Sequence, residues 1–174
     1  MPCFDPSLGS SHWFHLCYLQ SGLVTADSDG TLNFWSIGNL REPVESMSIV
    51  GNVSSLAVAP ETNTLLCGDE SGALYAIPPS ATGGAGGGSS RASKRSVRKL
   101  TTSDGHFGMV TSVSTKKVVS NRAGIAKGFL RGSGGLVLSS GVDWTVQLWA
   151  PSYNDKPLLS FVNHSYDYMC DVQW

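Results

Sequence analysis

Charge is scarce in this chain. Of its 174 residues only 14% are Asp, Glu, Lys or Arg, and the formal net charge is −1. Such a balance gives no global pull toward nucleic acid or an anionic membrane. No apolar run approaches the roughly 20 residues that a membrane-spanning helix needs. Residues 1–40 hold no Lys or Arg, so neither a secretory n-region nor an Arg-rich transit peptide is expected. The four cysteines (Cys3, Cys17, Cys67, Cys170) form no CxxC pair and lack metal-ligand spacing, so no metal is expected. Isolated thiols suit a reducing compartment, and the cytoplasm is the plain expectation. No apolar period of 3.6 is sustained, which excludes a helical domain. The glycine run 83–88 is followed by no Gly-Lys-Ser/Thr, so it is not a phosphate loop. With no G-x-S-x-G elbow and no carboxylate pair at catalytic spacing, neither a cofactor nor a small-molecule substrate is expected, and the chain reads as no enzyme.

What is present is a repeated hairpin. Hydrophobic residues make up 41% of the chain and glycine contributes 20 positions, the profile of a turn-rich β protein. Asp143-Trp144-Thr145-Val146-Gln147-Leu148-Trp149 has the shape of the closing hairpin of a β-propeller blade, with Trp at the turn position glycine usually fills. Asp29-Gly30-Thr31-Leu32-Asn33-Phe34-Trp35 and Ser71-Gly72-Ala73-Leu74-Tyr75-Ala76-Ile77 are weaker copies. Trp35 and Ile77 lie 42 residues apart, within the roughly 40–45 of a WD40-type blade. Ile77 and Trp149 lie 72 apart, so the third unit carries insertions, for which residues 80–96 and 118–135 are candidates.

Strand-like segments fill in the units. Residues 13–19 read as a first inner strand, and 22–26 and 31–37 flank an Asp-Gly turn. Residues 43–50 read as the outer strand of the next unit, followed by 53–59, 64–67 and 73–77. Pro78 and Pro79 stop that ladder, since proline has no N–H to donate. Residues 97–101 read as another outer strand, then 110–114, 136–140 and 145–149. Residues 158–162 would start a fourth unit, with 168–174 as its inner strand. The expected fold is all-β: a WD40-type propeller over 12–174, present as about three to three and a half four-stranded blades of a longer ring. Residues 1–11 form a tail, and 80–99 a disordered Gly/Ser/basic loop. Closed rings use about four to eight blades. The chain is therefore expected to be a piece of a longer polypeptide whose terminal faces expose Leu32, Phe34, Met169 and Val172. Expressed alone, it should aggregate or need a partner.

The third unit carries the fullest polar set. His106 follows a glycine between outer and inner strands, Asp143 precedes Trp149 by six residues, and Ser139 or Ser140 stands on the neighbouring strand. In WD repeats such residues form a buried chain in which Asp accepts from His, His meets a hydroxyl, and the hydroxyl meets the Trp N–H. A Ser-His-Asp catalytic triad uses the same residue types, but no nucleophile elbow accompanies these. In the first unit Asp29 precedes Trp35 by six residues without a Gly-His. In the second, Ser71 and Ile77 replace Asp and Trp, so its polar network is expected to be missing.

Arg91, Lys94, Arg95, Arg98 and Lys99 form the one marked charge asymmetry, since no acid lies between Glu70 and Asp104. The plain reading is a solvated loop. The functional readings are contact with an acidic surface, contact with nucleic acid, or a loop regulated through Ser93 and Ser96. No aromatic residue interleaves the cluster, which argues against stacking on bases.

Ser139-Ser140-Gly141-Val142-Asp143-Trp144-Thr145-Val146-Gln147-Leu148-Trp149, Lys156-Pro157-Leu158-Leu159-Ser160-Phe161 and Asp167-Tyr168-Met169-Cys170-Asp171-Val172-Gln173-Trp174 together resemble the WD-repeat region of dynein intermediate chains. Gly105-His106-Phe107-Gly108-Met109-Val110-Thr111 is similar to the start of the same blade, and Ser28-Asp29-Gly30-Thr31 with Trp35-Ser36-Ile37 to an earlier one. Gln147 stands where the family has Lys, and the basic glycine-rich stretch has no counterpart there. The resemblance is closest to the cytoplasmic type. It implies a seven-bladed propeller that docks on the dynein heavy chain beside other dynein subunits, a non-catalytic scaffold in microtubule-based transport. Its implied partners include no nucleic acid, membrane or small molecule, and its implied location is cytoplasmic and microtubule-associated. An axonemal or ciliary intermediate chain, or a WD-repeat adaptor of another complex, are the alternatives.

Overall fold

The computed structural model describes residues 15–19, 22–59, 62–79, 95–101, 104–116, 135–150, 156–162 and 171–173. Twelve strands make up its regular structure: β1 His15–Leu19, β2 Gly22–Ala26, β3 Thr31–Trp35, β4 Glu45–Ser48, β5 Val53–Ala59, β6 Thr64–Asp69, β7 Leu74–Ile77, β8 Arg98–Lys99, β9 Val110–Lys116, β10 Leu136–Gly141, β11 Thr145–Trp149 and β12 Leu159–Val162. They form three four-stranded antiparallel meanders, ordered β1-β2-β3-β4, β5-β6-β7-β8 and β9-β10-β11-β12. No helix occurs among the described residues.

The outer strands differ from their sequence reading. Residues 43–50, 97–101 and 158–162 were each expected to open the following unit. Instead β4 pairs with β3 (Thr31↔Ser48), β8 with β7 (Tyr75↔Lys99) and β12 with β11 (Thr145↔Val162). Each therefore closes the sheet before it, because β3, β7 and β11 offer the nearest open edge of backbone donors and acceptors. The first sheet consequently has a full set of four strands. Residues 171–173 are described without strand structure, and 168–170 lie outside the described residues, as do 80–94 and 117–134. Arg95–Lys99, assigned to the disordered loop by the sequence reading, are described, and Arg98–Lys99 pair in β8.

Burial follows the order of the sheets. In β3 and β2 alternate residues are buried, the signature of a sheet covered on one face. Every residue of β7 and nearly all of β6 are buried, because the middle sheet has a neighbour on both faces. One core joins Val24, Ala26, Leu32, Phe34 and Met47 of the first sheet to Val53, Leu65, Cys67, Tyr75 and Ile77 of the second. The other joins Leu66, Leu74 and Ala76 to Val110, Val113, Val137 and Trp149 of the third. Leu32 and Phe34, expected to be exposed, thus lie against the middle sheet. Among the described residues, exposed apolar side chains at the ends are Leu16 and Tyr18 of β1 and Leu159, Phe161 and Val162 of β12. Met169 lies outside the described residues.

The inner strands are tied directly. Ser54 Oγ donates to the Val110 carbonyl at 2.6 Å and Thr115 Oγ1 to the Val58 carbonyl at 2.8 Å, so β5 and β9 run side by side in the same direction. Ser112 Oγ then donates to Asp171 Oδ1 at 2.7 Å, repeating that tie toward the next segment of chain.

The register aligns the three β-turns between second and third strands, since Ala26↔Leu32, Gly68↔Leu74 and Ser140↔Val146 are equivalent pairs. Gly30, Gly72 and Trp144 then occupy one position, with φ of 87°, 90° and 61°. At Gly72 a Cβ would stand 2.0 Å from the His106 carbonyl oxygen. Gly72→Ala should therefore destabilise by roughly 2–4 kcal/mol, from left-handed strain plus overlap with fixed backbone. Denaturant melts of the variant beside the parent chain check it.

Candidate functional site

In the third sheet a buried polar chain assembles from β10, β11, the turn between them and the loop that precedes β9. Trp149 Nε1 donates to Ser139 Oγ at 2.9 Å, and Ser139 Oγ lies 2.7 Å from His106 Nε2. His106 Nδ1 faces Asp143 Oδ1 at 3.0 Å and Thr145 Oγ1 at 2.8 Å. One assignment of protons satisfies the whole chain. The indole N–H donates to the Ser139 hydroxyl, that hydroxyl donates to Nε2, and a proton on Nδ1 points at the carboxylate. Asp143 also accepts from the Phe107 N–H at 2.9 Å and from the Thr145 hydroxyl at 2.8 Å.

Local sequence places each member. Ser139 and Trp149 share a face because Val137↔Trp149 and Ser139↔Gln147 are register pairs on adjacent strands. Gly141 leaves the gap that the imidazole fills, for a Cβ there would lie 2.6 Å from His106 Nδ1 and from Asp143 Oδ1. The His106 N–H donates to the Gly72 carbonyl at 3.2 Å, which fastens the network to the second sheet.

Of the two candidate serines, Ser139 enters the chain. Ser140 is buried beside it and shares a hydrogen bond with Thr111 at 2.9 Å. Burial pushes the His106 pKa down, against the opposing pull of Asp143, so the ring is neutral near pH 7. Burial works to raise the Asp143 carboxyl, but the Phe107 N–H, the Thr145 hydroxyl and His106 bring it below its ordinary value. Ser, His and Asp stand in the order of a catalytic triad, here enclosed within the protein. Ser139 is fully buried, its oxygen already receives the Trp149 N–H, and the His106 side chain is closed to solvent.

The other two sheets solve the same turn differently. In the first, Trp35 Nε1 donates to Thr25 Oγ1 at 3.0 Å, while Asp29 stays in the turn and accepts from the Thr31 N–H at 2.8 Å. Asp29 and Trp35 are not brought together. In the second, a polar network stands where none was expected. Asp69, fully buried, accepts through Oδ1 from the Ser71 N–H (2.9 Å), the Ser71 hydroxyl (2.7 Å) and the Ala73 N–H (2.8 Å). Tyr75 OH contacts its Oδ2 at 3.0 Å and the Val50 carbonyl at 2.6 Å. Burial, then the Asp69 carboxylate, push the Tyr75 phenol up to about 12. Asp69 stands at the register position of Asp27 and Gly141 and not at that of Asp29 and Asp143, which is why the Asp-to-Trp spacing of the other units does not mark it.

Of the basic cluster, Arg95 is held by other side chains. Arg91 and Lys94 lie outside the described residues. Arg95 is turned inward, its Nε 2.8 Å from Glu45 Oε2 and its guanidinium 4.0 Å above the Phe34 ring. It braces β3 and β4 of the first sheet from the segment that leads into β8. Arg98 and Lys99 are exposed along β8. Burial pushes the Cys17 thiol up to about 12 and raises that of Cys67 as well, which disfavours the thiolate of both. Among the described residues no group of three His, Cys, Asp or Glu side chains can hold a metal ion.

Comparison with solved structures identifies the arrangement. The chain superposes on the crystal structure of the WD40 repeats of RRP9 with a TM-score of 0.56 and 15% identity, covering 86% of this chain and 38% of that one. The fold is a WD40 propeller. Its sheets are blades, and U3-55K gives a similar match at 0.57, 15% identity, and 86% and 39% coverage. The computationally designed Ika4 protein superposes at 0.61 with 17% identity, over 91% of this chain and 77% of that one. In sequence, the chain is 30% identical over 161 residues to a cytoplasmic dynein 1 intermediate chain of Drosophila melanogaster. That alignment takes in 87% of this chain and 20% of the relative, so the chain spans about a fifth of that protein's length. No family model matches.

Two predictions follow from these contacts. His106→Ala should destabilise by about 1–3 kcal/mol, the cost of leaving buried partners unsatisfied. The unfolded chain takes up a proton at the ordinary His value of 6.5, while the folded chain does so only at lower pH. The parent should therefore lose stability as pH falls below that value, and His106→Ala should lack this part of the slope. Chemical denaturation of both proteins between neutral and mildly acidic pH measures it. Arg95→Ala should cost roughly 1–2 kcal/mol, through loss of a charged hydrogen bond and the contact with Phe34. A thermal melt indistinguishable from the parent would contradict the brace.

Proposed function

We propose that this chain is WD-repeat sequence of a dynein intermediate chain of the cytoplasmic type, acting as a non-catalytic scaffold that docks on the dynein heavy chain. The observation that carries the reading is the 30% identity to the Drosophila cytoplasmic dynein 1 intermediate chain across most of this sequence. The Asp143-Trp144-Thr145 turn adds to it, because its tryptophan occupies a position that Gly30 and Gly72 fill in the other blades. The chemistry supports a scaffold. The His106 network lies inside the protein and spends its polar atoms on one another, as a structural tie does. His106, Ser139, Asp143 and Trp149 are on this reading fold-holding residues, and so are Trp35 with Thr25 and Asp69 with Tyr75. The partners are other dynein subunits, and the setting is the cytoplasm and its microtubules.

The test is co-purification. The tagged chain, expressed in cells and washed at moderate salt, is expected to retain dynein heavy chain. Recovery of another complex without heavy chain would replace this reading with that of a WD-repeat adaptor serving a different assembly.

A further inference from the structure

Ser96 places an exposed hydroxyl inside the basic segment. Arg95 before it is turned inward onto Glu45 and Phe34, whereas Val97, Arg98 and Lys99 after it are exposed. The stretch is held at both ends, by Arg95 and by the buried Leu100, whose N–H donates to the Leu74 carbonyl at 2.7 Å. Between those anchors β8 pairs with β7 through two residues and is the outer strand of its sheet. So short an edge opens locally at little cost, which lets a second protein take hold of residues 96–99. Thr115, beside Lys116, is placed differently: it lies in an inner strand and its hydroxyl is committed to the Val58 carbonyl. Ser93 lies outside the described residues.

Charge names the kind of protein that would take hold. No Asp or Glu occurs between Glu70 and Asp104, and the residues following Ser96 are one aliphatic side chain and two cations. Serine kinases select substrates by such charge patterns, and an acidic groove fits this one. The carboxylate that the fold brings to the segment is Glu45, which faces the Arg95 side chain at 2.8 Å and receives the Arg95 N–H at 3.4 Å. It therefore lies one residue from Ser96. A phosphate on Ser96 carries a charge of about −1.5 to −2. At that range it repels the Glu45 carboxylate and competes with it for the Arg95 guanidinium, because both separations fall within a Debye length of roughly 8–10 Å.

We propose that Ser96 is a phosphorylation site for a basic-directed serine kinase, and that its phosphate loosens the Arg95 brace between the first two blades. In the transfer Ser96 Oγ attacks the γ-phosphorus of ATP. The new O–P bond forms as the bond to the β-phosphate oxygen breaks, ADP leaves, and the hydroxyl proton passes to a base of the kinase. The inference is independent of what the propeller docks on.

The experiment incubates the folded whole chain with magnesium ATP and the catalytic domain of protein kinase C, maps the phosphate by mass spectrometry, and follows with thermal melts. Ser96 should be the acceptor, and Ser96→Ala should lose most of the incorporation. Arg98→Ala combined with Lys99→Ala should slow transfer about tenfold or more. The phosphorylated parent should melt lower by about 2–8 °C, close to Arg95→Ala, and phosphorylation of Arg95→Ala should lower its midpoint no further. Incorporation undiminished by Ser96→Ala, or seen only after denaturation, would overturn the site. An undiminished rate without Arg98 and Lys99 would overturn the basic-directed kinase. A phosphate on Ser96 that leaves the parent's melt unchanged, or lowers that of Arg95→Ala as much as the parent's, would overturn the link to the brace.

Discussion

The structure depends on each sheet being covered by its neighbours. A four-stranded sheet of two- to seven-residue strands has two faces, and neither core here is enclosed by one sheet. The middle blade shows the requirement most clearly. In Leu74, Tyr75, Ala76 and Ile77 successive side chains point to opposite faces, yet all are buried because both faces are packed. The approach is close enough that residue 68 must be glycine. A Cβ there would stand 2.5 Å from Ser55 Oγ and from Val110 Cγ1 of the next blade. Ser54 and Thr115 then carry hydrogen bonds between inner strands whose sheets share no ladder.

Packing of this kind leaves the turn ends of the strands with polar groups that water cannot reach. The three blades satisfy them in three ways: Trp35 with Thr25, Asp69 with Tyr75 and Ser71, and Trp149 with Ser139, His106 and Asp143. A buried polar group without a partner costs more than the bond itself contributes, so each set is closed or nearly so. Ser55 Oγ and Gln147 Oε1 are the exceptions among the described residues. The closed networks fix the loops that carry them.

Much of this was legible in the sequence. Alternating apolar residues located the strands, and the repeated turn set the blade spacing. Asp143, His106 and Trp149 stood at separations that only a shared hairpin and loop would bring together. These are local signals, and strand period and turn chemistry act over a few residues. Which sheet an outer strand joins is not local. β4 and β8 each lie between two sheets they could have joined, and only the assembled meander fixed the choice. The same limit explains Leu32 and Phe34. They share one face of β3, but whether that face meets a neighbour depends on where the next blade lies. Asp69 was passed over because Ser71 occupied the expected position. Only the buried Tyr75 hydroxyl, folded back from the next strand, reveals the carboxylate as a network centre. Arg95 read as a solvated cation until Glu45 and Phe34, some fifty residues earlier, enclosed it. Sequence alone determined the strands, their turns and the chemistry of the third blade. Tertiary structure decided edge, face and partner, because those are set by contacts between residues far apart in the chain.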